Sequence, residues 1–142
     1  MSQFQSIFKR YEKKYILTSW QKQKFLETAK LYLAKDKYFH STICSIYYDT
    51  PSRLMIRNSI EKPIYKEKLR LRSYGTPSAD DKVFIELKKK YRGVVYKRRT
   101  AMTLREAEMF LSGKLLPKTQ IEKELAWALK YYEDIEPAMF VS

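Results

Sequence analysis

The sequence predicts an α+β domain: an antiparallel β-sheet with flanking helices. Three observations lead there. Charged residues recur at every second position, as Lys66, Lys68, Arg70 and Arg72 and as Glu86, Lys88 and Lys90, with Leu69 and Leu71 and with Val83, Ile85 and Leu87 in the other phase, the period of a strand with one buried face. The segment after 82–91 turns back at once through Arg92-Gly93, as an antiparallel meander does. Elsewhere, Thr18 with Gln21, Thr103 with Glu106 and Thr119 with Glu122 have the spacing of a helix-opening capping box. At 142 residues, 44% of them hydrophobic, the chain is long enough for one domain with a real core.

The elements follow in order. FKRYEKKYIL (8–17) reads as a strand. Thr18 then opens an amphipathic helix over 19–34, with Phe25, Ala29 and Leu33 spaced by four. TICSIYYDT (42–50) is a second strand, rich in β-branched and aromatic residues. Thr50-Pro51 suits an N-cap and first helical position, predicting a short helix over 51–60 that Lys62-Pro63 closes. Long strands follow over 64–74 and 82–91, and a third over 94–102. Thr103 opens a helix ending at Gly113, and Thr119 opens one carrying Ile121, Leu125, Ala128, Leu129 and Tyr132, with Pro137 as its stop. AMFVS begins a further strand, so the expectation is the N-terminal portion of a single domain, 1–142, that continues further.

Twenty-nine Lys and Arg against 16 Asp and Glu give a net charge of +13, a field that favours polyanions. Cys44 is the sole cysteine and His40 the sole histidine, so an internal disulfide and a Cys/His zinc site are not expected. The N-terminus lacks a signal-peptide apolar core, and no run approaches the ~18 apolar residues of a membrane helix. A reducing, cytoplasmic setting with no membrane segment is the expectation.

The charges have a phase. In a strand, Lys66, Lys68, Arg70 and Arg72 share one face while Leu69 and Leu71 point to the other. Glu86, Lys88 and Lys90 oppose Val83, Ile85 and Leu87, Arg10, Glu12 and Lys14 share a face, and so do Lys97 and Arg99, although Arg98 between them obscures the phase. Cations directly opposite each other across a ladder repel. An anion between them is therefore expected, and a curved sheet would converge them on a compact one. Single-stranded nucleic acid would need aromatics on the same face. Most fall elsewhere, with Tyr47, on the face of Asp49, the exception, so nucleic acid is not an expected partner. Cys44 reads as a small hydrophobe, His40 as a surface residue, and Asp49 as a turn former before Thr50-Pro51 rather than a metal ligand.

Four linked stretches, FKRYEKKYIL, SIYYDTPSRLMIR, KPIYKEKLRLRSYG and FIELKKKYRGVVYKRR, in this order resemble the VTC domain. That is the polyphosphate polymerase domain of the triphosphate tunnel metalloenzyme superfamily, related to CYTH domains. The resemblance implies antiparallel strands forming part of a triphosphate-tunnel barrel. It implies phosphate binding by Lys14, Lys68, Arg70, Arg72, Lys88, Lys97 and Arg99, with Arg70, Arg72 and Lys88 as the catalytic cations. Glu12 and Glu86 would hold Mn²⁺ or Mg²⁺. The relatives' Glu-x-Glu-x-Lys pattern is here Arg10-Tyr-Glu12-Lys-Lys14, which weakens metal binding through this strand. The implied partners are a nucleoside triphosphate, inorganic triphosphate or polyphosphate. Polyphosphate synthesis is the first activity implied; a triphosphate hydrolase and a non-catalytic polyphosphate- or inositol-phosphate-binding module are the alternatives. A chain ending inside the barrel is expected to lack activity and to form a homodimer over its open edge.

Overall fold

A computed structural model describes residues 14–34 and 41–142. They belong to two compact units, the smaller covering residues 10–41 and the larger chiefly 42–142. In the smaller unit, α1 (Ser19–Ala29) opens on the expected box: Thr18 Oγ1 accepts from Gln21 N–H at 3.2 Å, and Gln21 Oε1 accepts from Thr18 N–H at 2.9 Å. The helix stops short of 34. Its last turn tightens as Leu31 and Tyr32 donate to Thr28 and Ala29, three residues back, and the regular ladder ends. The strand expected over 8–17 is corrected at its end: residues 14–17 are in no strand. Residues 8–13, with Arg10 and Glu12, lie outside the described residues.

The larger unit holds β1 (Ile43–Asp49), α2 (Leu54–Glu61), β2 (Tyr65–Tyr74), β3 (Lys82–Tyr91), β4 (Val94–Thr103), α3 (Leu104–Leu111), α4 (Gln120–Tyr132) and β5 (Glu136–Val141). The strands form one antiparallel sheet in the order β4-β3-β2-β1-β5. Among the described residues the sheet is open, compatible with part of a barrel. Arg92 and Gly93 take φ of 46° and 84°, a primed two-residue turn whose twist matches the strands it joins. Both expected capping boxes open α3 and α4.

One face of the sheet is the core. Leu69, Leu71, Val83, Ile85 and Leu87 pack there with Ala107 and Phe110 of α3, Leu125 and Ala128 of α4, and Met55 of α2. Burying such side chains contributes about 1.5–3 kcal/mol each and fixes the strand phase. The polar residues on this face are partnered: Arg98 Nε donates to Glu124 at 2.8 Å and Thr100 Oγ1 to Glu122 Oε1 at 3.0 Å, tying β4 to α4. That settles the phase of Arg98, which faces the helices.

In the larger unit two further helix boundaries differ from expectation. α2 begins at Leu54 rather than Pro51, because Arg53 takes a left-handed φ of 58° and breaks the turn. The orphan amides are capped from afar by Asp49, 1% exposed. Its Oδ1 accepts from Thr50 and Met55 N–H at 2.8 and 2.9 Å, and its Oδ2 from Ile56 N–H at 2.9 Å. α4 ends at Tyr132 because Glu133 and Asp134 take φ of 43° and 48°; Pro137 lies inside β5, an edge strand, where its missing N–H is tolerated. Among the described residues no helix is long and apolar enough to cross a membrane.

Candidate functional site: the basic face of the sheet

The face opposite the core is set by register. Arg70 stands opposite Tyr47 on β1 and Glu86 on β3, and Glu86 opposite Arg99 on β4. One step along, Arg72 lies between Ser45 and Phe84. In the other direction Lys68, Lys88 and Lys97 form a rung of three lysines, and beyond it Lys66 stands opposite Lys90. Of the expected phosphate ligands, this face brings together Lys68, Arg70, Arg72, Lys88, Lys97 and Arg99. Lys14 lies in the smaller unit and is exposed.

At the centre is Glu86, 2% exposed. Arg70 holds its Oε2 through Nε at 2.7 Å and Nη2 at 2.6 Å. Arg99 holds Oε1 through Nε at 2.5 Å and also through Nη2, and Lys97 Nζ reaches the same oxygen at 2.7 Å. Three cations thus share one carboxylate. Burial would raise its pKa, but hydrogen bonds from Lys97 and Arg70 and the charges of both outweigh it and hold Glu86 at about 2. Lys97 moves down, through burial first and then repulsion by Arg99 and Arg70, against the pull of Glu86. Arg70 moves up because Glu86 and the Tyr47 hydroxyl more than offset its burial.

The arginines are further restrained by aromatic rings. Arg99 lies 4.5 Å from the Phe84 ring centre, Arg72 4.9 Å from that of Tyr74, and Arg70 Nη1 donates to the Tyr47 hydroxyl at 3.2 Å. Arg72 differs from its neighbours in having no carboxylate; its Nε is buried and without a hydrogen-bond partner among the described residues. A buried donor left unmatched costs about 1–3 kcal/mol, and a phosphate oxygen is the acceptor a guanidinium fits best.

The expected divalent-cation site is not assembled by the described residues. They contain no group of three His, Cys, Asp or Glu side chains able to hold a metal. Glu86 is the single carboxylate bound among these cations and both its oxygens are taken by them, whereas Mg²⁺ and Mn²⁺ ask for several free oxygen ligands. Glu12 lies outside the described residues.

Sequence parity found the cations, but not Glu86 as their shared acceptor, nor Tyr47 and Phe84 as supports of the arginines. The signal for Glu86 was present: it is the one acid in the phase of Lys88 and Lys90.

No curated protein matches the chain. The VTC domain family matches residues 9–139, nearly the whole sequence and all five strands but the last residues of β5. On that match, the chain belongs to the VTC domain family.

Proposed function

We propose that the basic face binds the phosphates of inorganic triphosphate or polyphosphate, and that the domain to which it belongs is a polyphosphate polymerase drawing on a nucleoside triphosphate. Membership of the VTC family supports a polyphosphate-related function. The observation that carries the binding reading is the gathering of Lys68, Arg70, Arg72, Lys88, Lys97 and Arg99 on one strand face, with an Arg72 whose buried Nε has no acceptor among the described residues. Phosphoryl transfer asks a protein mainly to align phosphates and to neutralise their nonbridging oxygens. Arg70 and Arg72 offer forked donors for that, and Lys88 a mobile point charge. Mn²⁺ or Mg²⁺, when bound with the phosphates, would neutralise further charge.

A second reading, a binding module without catalysis, is favoured by one observation: both oxygens of Glu86 are engaged by cations, so among the described residues this face offers no free carboxylate to a metal. Both readings share the ligand. Inorganic triphosphate or polyphosphate should raise the midpoint of thermal unfolding more than an equal concentration of single-stranded RNA at physiological salt, since a ligand of the folded state stabilises by mass action. Greater protection by RNA would overturn the reading.

A further inference from the structure

The outward side of α4 breaks the pattern of the helix. Leu125 and Ala128 are buried against the sheet and Leu129 and Tyr132 pack beside them, yet Trp127 and Tyr131, outside that stripe, are 58% and 64% exposed. Their rings stack on each other, with 4.9 Å between centres and 15° between planes. Tyr131 also meets Tyr132 edge-on at 5.1 Å, and Tyr132 approaches Glu67, to which Tyr65 donates. Tyr65 in turn stands opposite Tyr91 on β3, and both rings are exposed. One aromatic surface thus runs from α4 to the hairpin end of the sheet. Each such side chain left in water forgoes about 150–250 Å² of burial.

Along α4 the exposed charge has one sign. Glu122 accepts from the Lys118 and Thr119 amides and from Thr100 Oγ1, and Glu124 is held by Arg98, so both acids of the helix are engaged. Lys123 and Lys130, one turn either side of Trp127, are exposed and make no ion pair among the described residues. Glu133 and Asp134 follow the helix and bound this cationic stretch. We propose that the surface docks an acidic segment of another protein, with Trp127 and Tyr131 as its apolar anchors and Lys123 and Lys130 as its charged rim. The surface lies on the helix side of the sheet and shares no residue with the basic face.

Tryptophan and tyrosine are enriched among the residues that dominate protein interfaces, and a pair already ordered by stacking loses little freedom on docking. Lysine belongs to interface rims, where it selects a partner of opposite charge. A second copy of this chain is a poor occupant, since a symmetric contact sets the same cations against each other in a molecule of net charge +13. Single-stranded nucleic acid needs ring faces open to successive bases, whereas these two rings cover each other's inner faces. A bilayer surface asks for an apolar helix face turned outward, and α4 turns that face to the sheet.

Fluorescence of the whole chain at physiological salt tests the proposal, with Trp20→Phe leaving Trp127 as the sole tryptophan. A synthetic peptide of Glu residues with Leu and Phe at every fourth position should shift the Trp127 emission to the blue, and the same peptide with Lys in place of Glu should not. In that background Lys123→Glu/Lys130→Glu should weaken the acidic peptide at least tenfold and leave the affinity for inorganic triphosphate unchanged. Trp127→Ala, followed by anisotropy of a labelled peptide, should lose as much; if it also lowers the thermal midpoint, the charge-reversed variant alone decides. No emission shift with the acidic peptide, equal binding of the two peptides, or unchanged affinity in the charge-reversed variant overturns the proposal. So does a larger shift with single-stranded RNA or with vesicles of an anionic phospholipid, or an emission that moves with protein concentration alone, which would put nucleic acid, a membrane or a second copy on this surface.

Discussion

Two glutamates on neighbouring strands, each 2% exposed, show how differently the two faces of the sheet are built. Glu67 faces the helix layer, where the Tyr65 hydroxyl donates to it and Lys89 Nζ lies at 3.5 Å, with Tyr132 close by. Burial and then the nearness of this carboxylate push both phenols upward and keep them neutral. One charge thus meets one countercharge and the knot is closed. Glu86, on the other face, meets three cations. A buried carboxylate is a structural fastener in one setting and a hub that gathers several cations in the other.

The largest effect should come from opening that hub. Glu86→Gln leaves Arg70, Lys97 and Arg99 to repel one another without their acceptor, and breaking a buried ionic cluster in this way should cost about 3 kcal/mol of stability. Urea unfolding measures it, and inorganic triphosphate should restore more stability to the variant than it adds to wild type. Acid should mimic the change. With Glu86 held at about 2, below the usual 4.5, its contribution is complete above pH 4.5 and fades as pH falls toward 2. Thermal unfolding across that window should show a loss in wild type that Glu86→Gln lacks.

Next in size, Arg70→Ala and Arg72→Ala should each weaken triphosphate binding by about 2 kcal/mol, roughly thirtyfold. Arg53→Ala should change binding little, because Arg53 sits outside this face and reaches Glu136 at 3.6 Å. Equal losses at all three positions in a calorimetric titration would mean that the overall field, not the lined face, drives binding. Smallest is Glu67→Gln. It should lower stability by about 1.5 kcal/mol and leave triphosphate affinity where it was. A change in affinity there would show that the two faces are not independent.

Much of this face was legible in the sequence because a strand's period is two: the cations of 66–72 fall into one phase whatever their partners. The meander and the capping boxes at Thr103 and Thr119 were local signals and stood. Register was not legible. That Glu86 meets both Arg70 and Arg99 depends on turn geometry and core fit across three strands, which the alternation within one strand does not contain. The start of α2 was misread for a similar reason: Thr50 Oγ1 does accept from Leu54 N–H, but the Met55 and Ile56 amides are held by Asp49, six and seven residues upstream. Glu67 lies in the apolar phase of Leu69 and Leu71, and the need of a buried acid for partners could have marked it.

The rung of Lys68, Lys88 and Lys97 bears on how the backbone moves. Like charges directly opposite weaken a ladder where they stand, while the adjoining rung of Arg70, Glu86 and Arg99 is clamped by its own ion pairs. The amides of the free protein should therefore exchange with solvent more readily toward the lysine end of β2 and β3 than toward the arginine end, which hydrogen exchange measures. Dissolved ions, which screen charges over about 8 Å at physiological strength, even out this gradient, and a bound polyanion removes it. If the face binds a polyanion as proposed, stiffness along the sheet reports its occupancy.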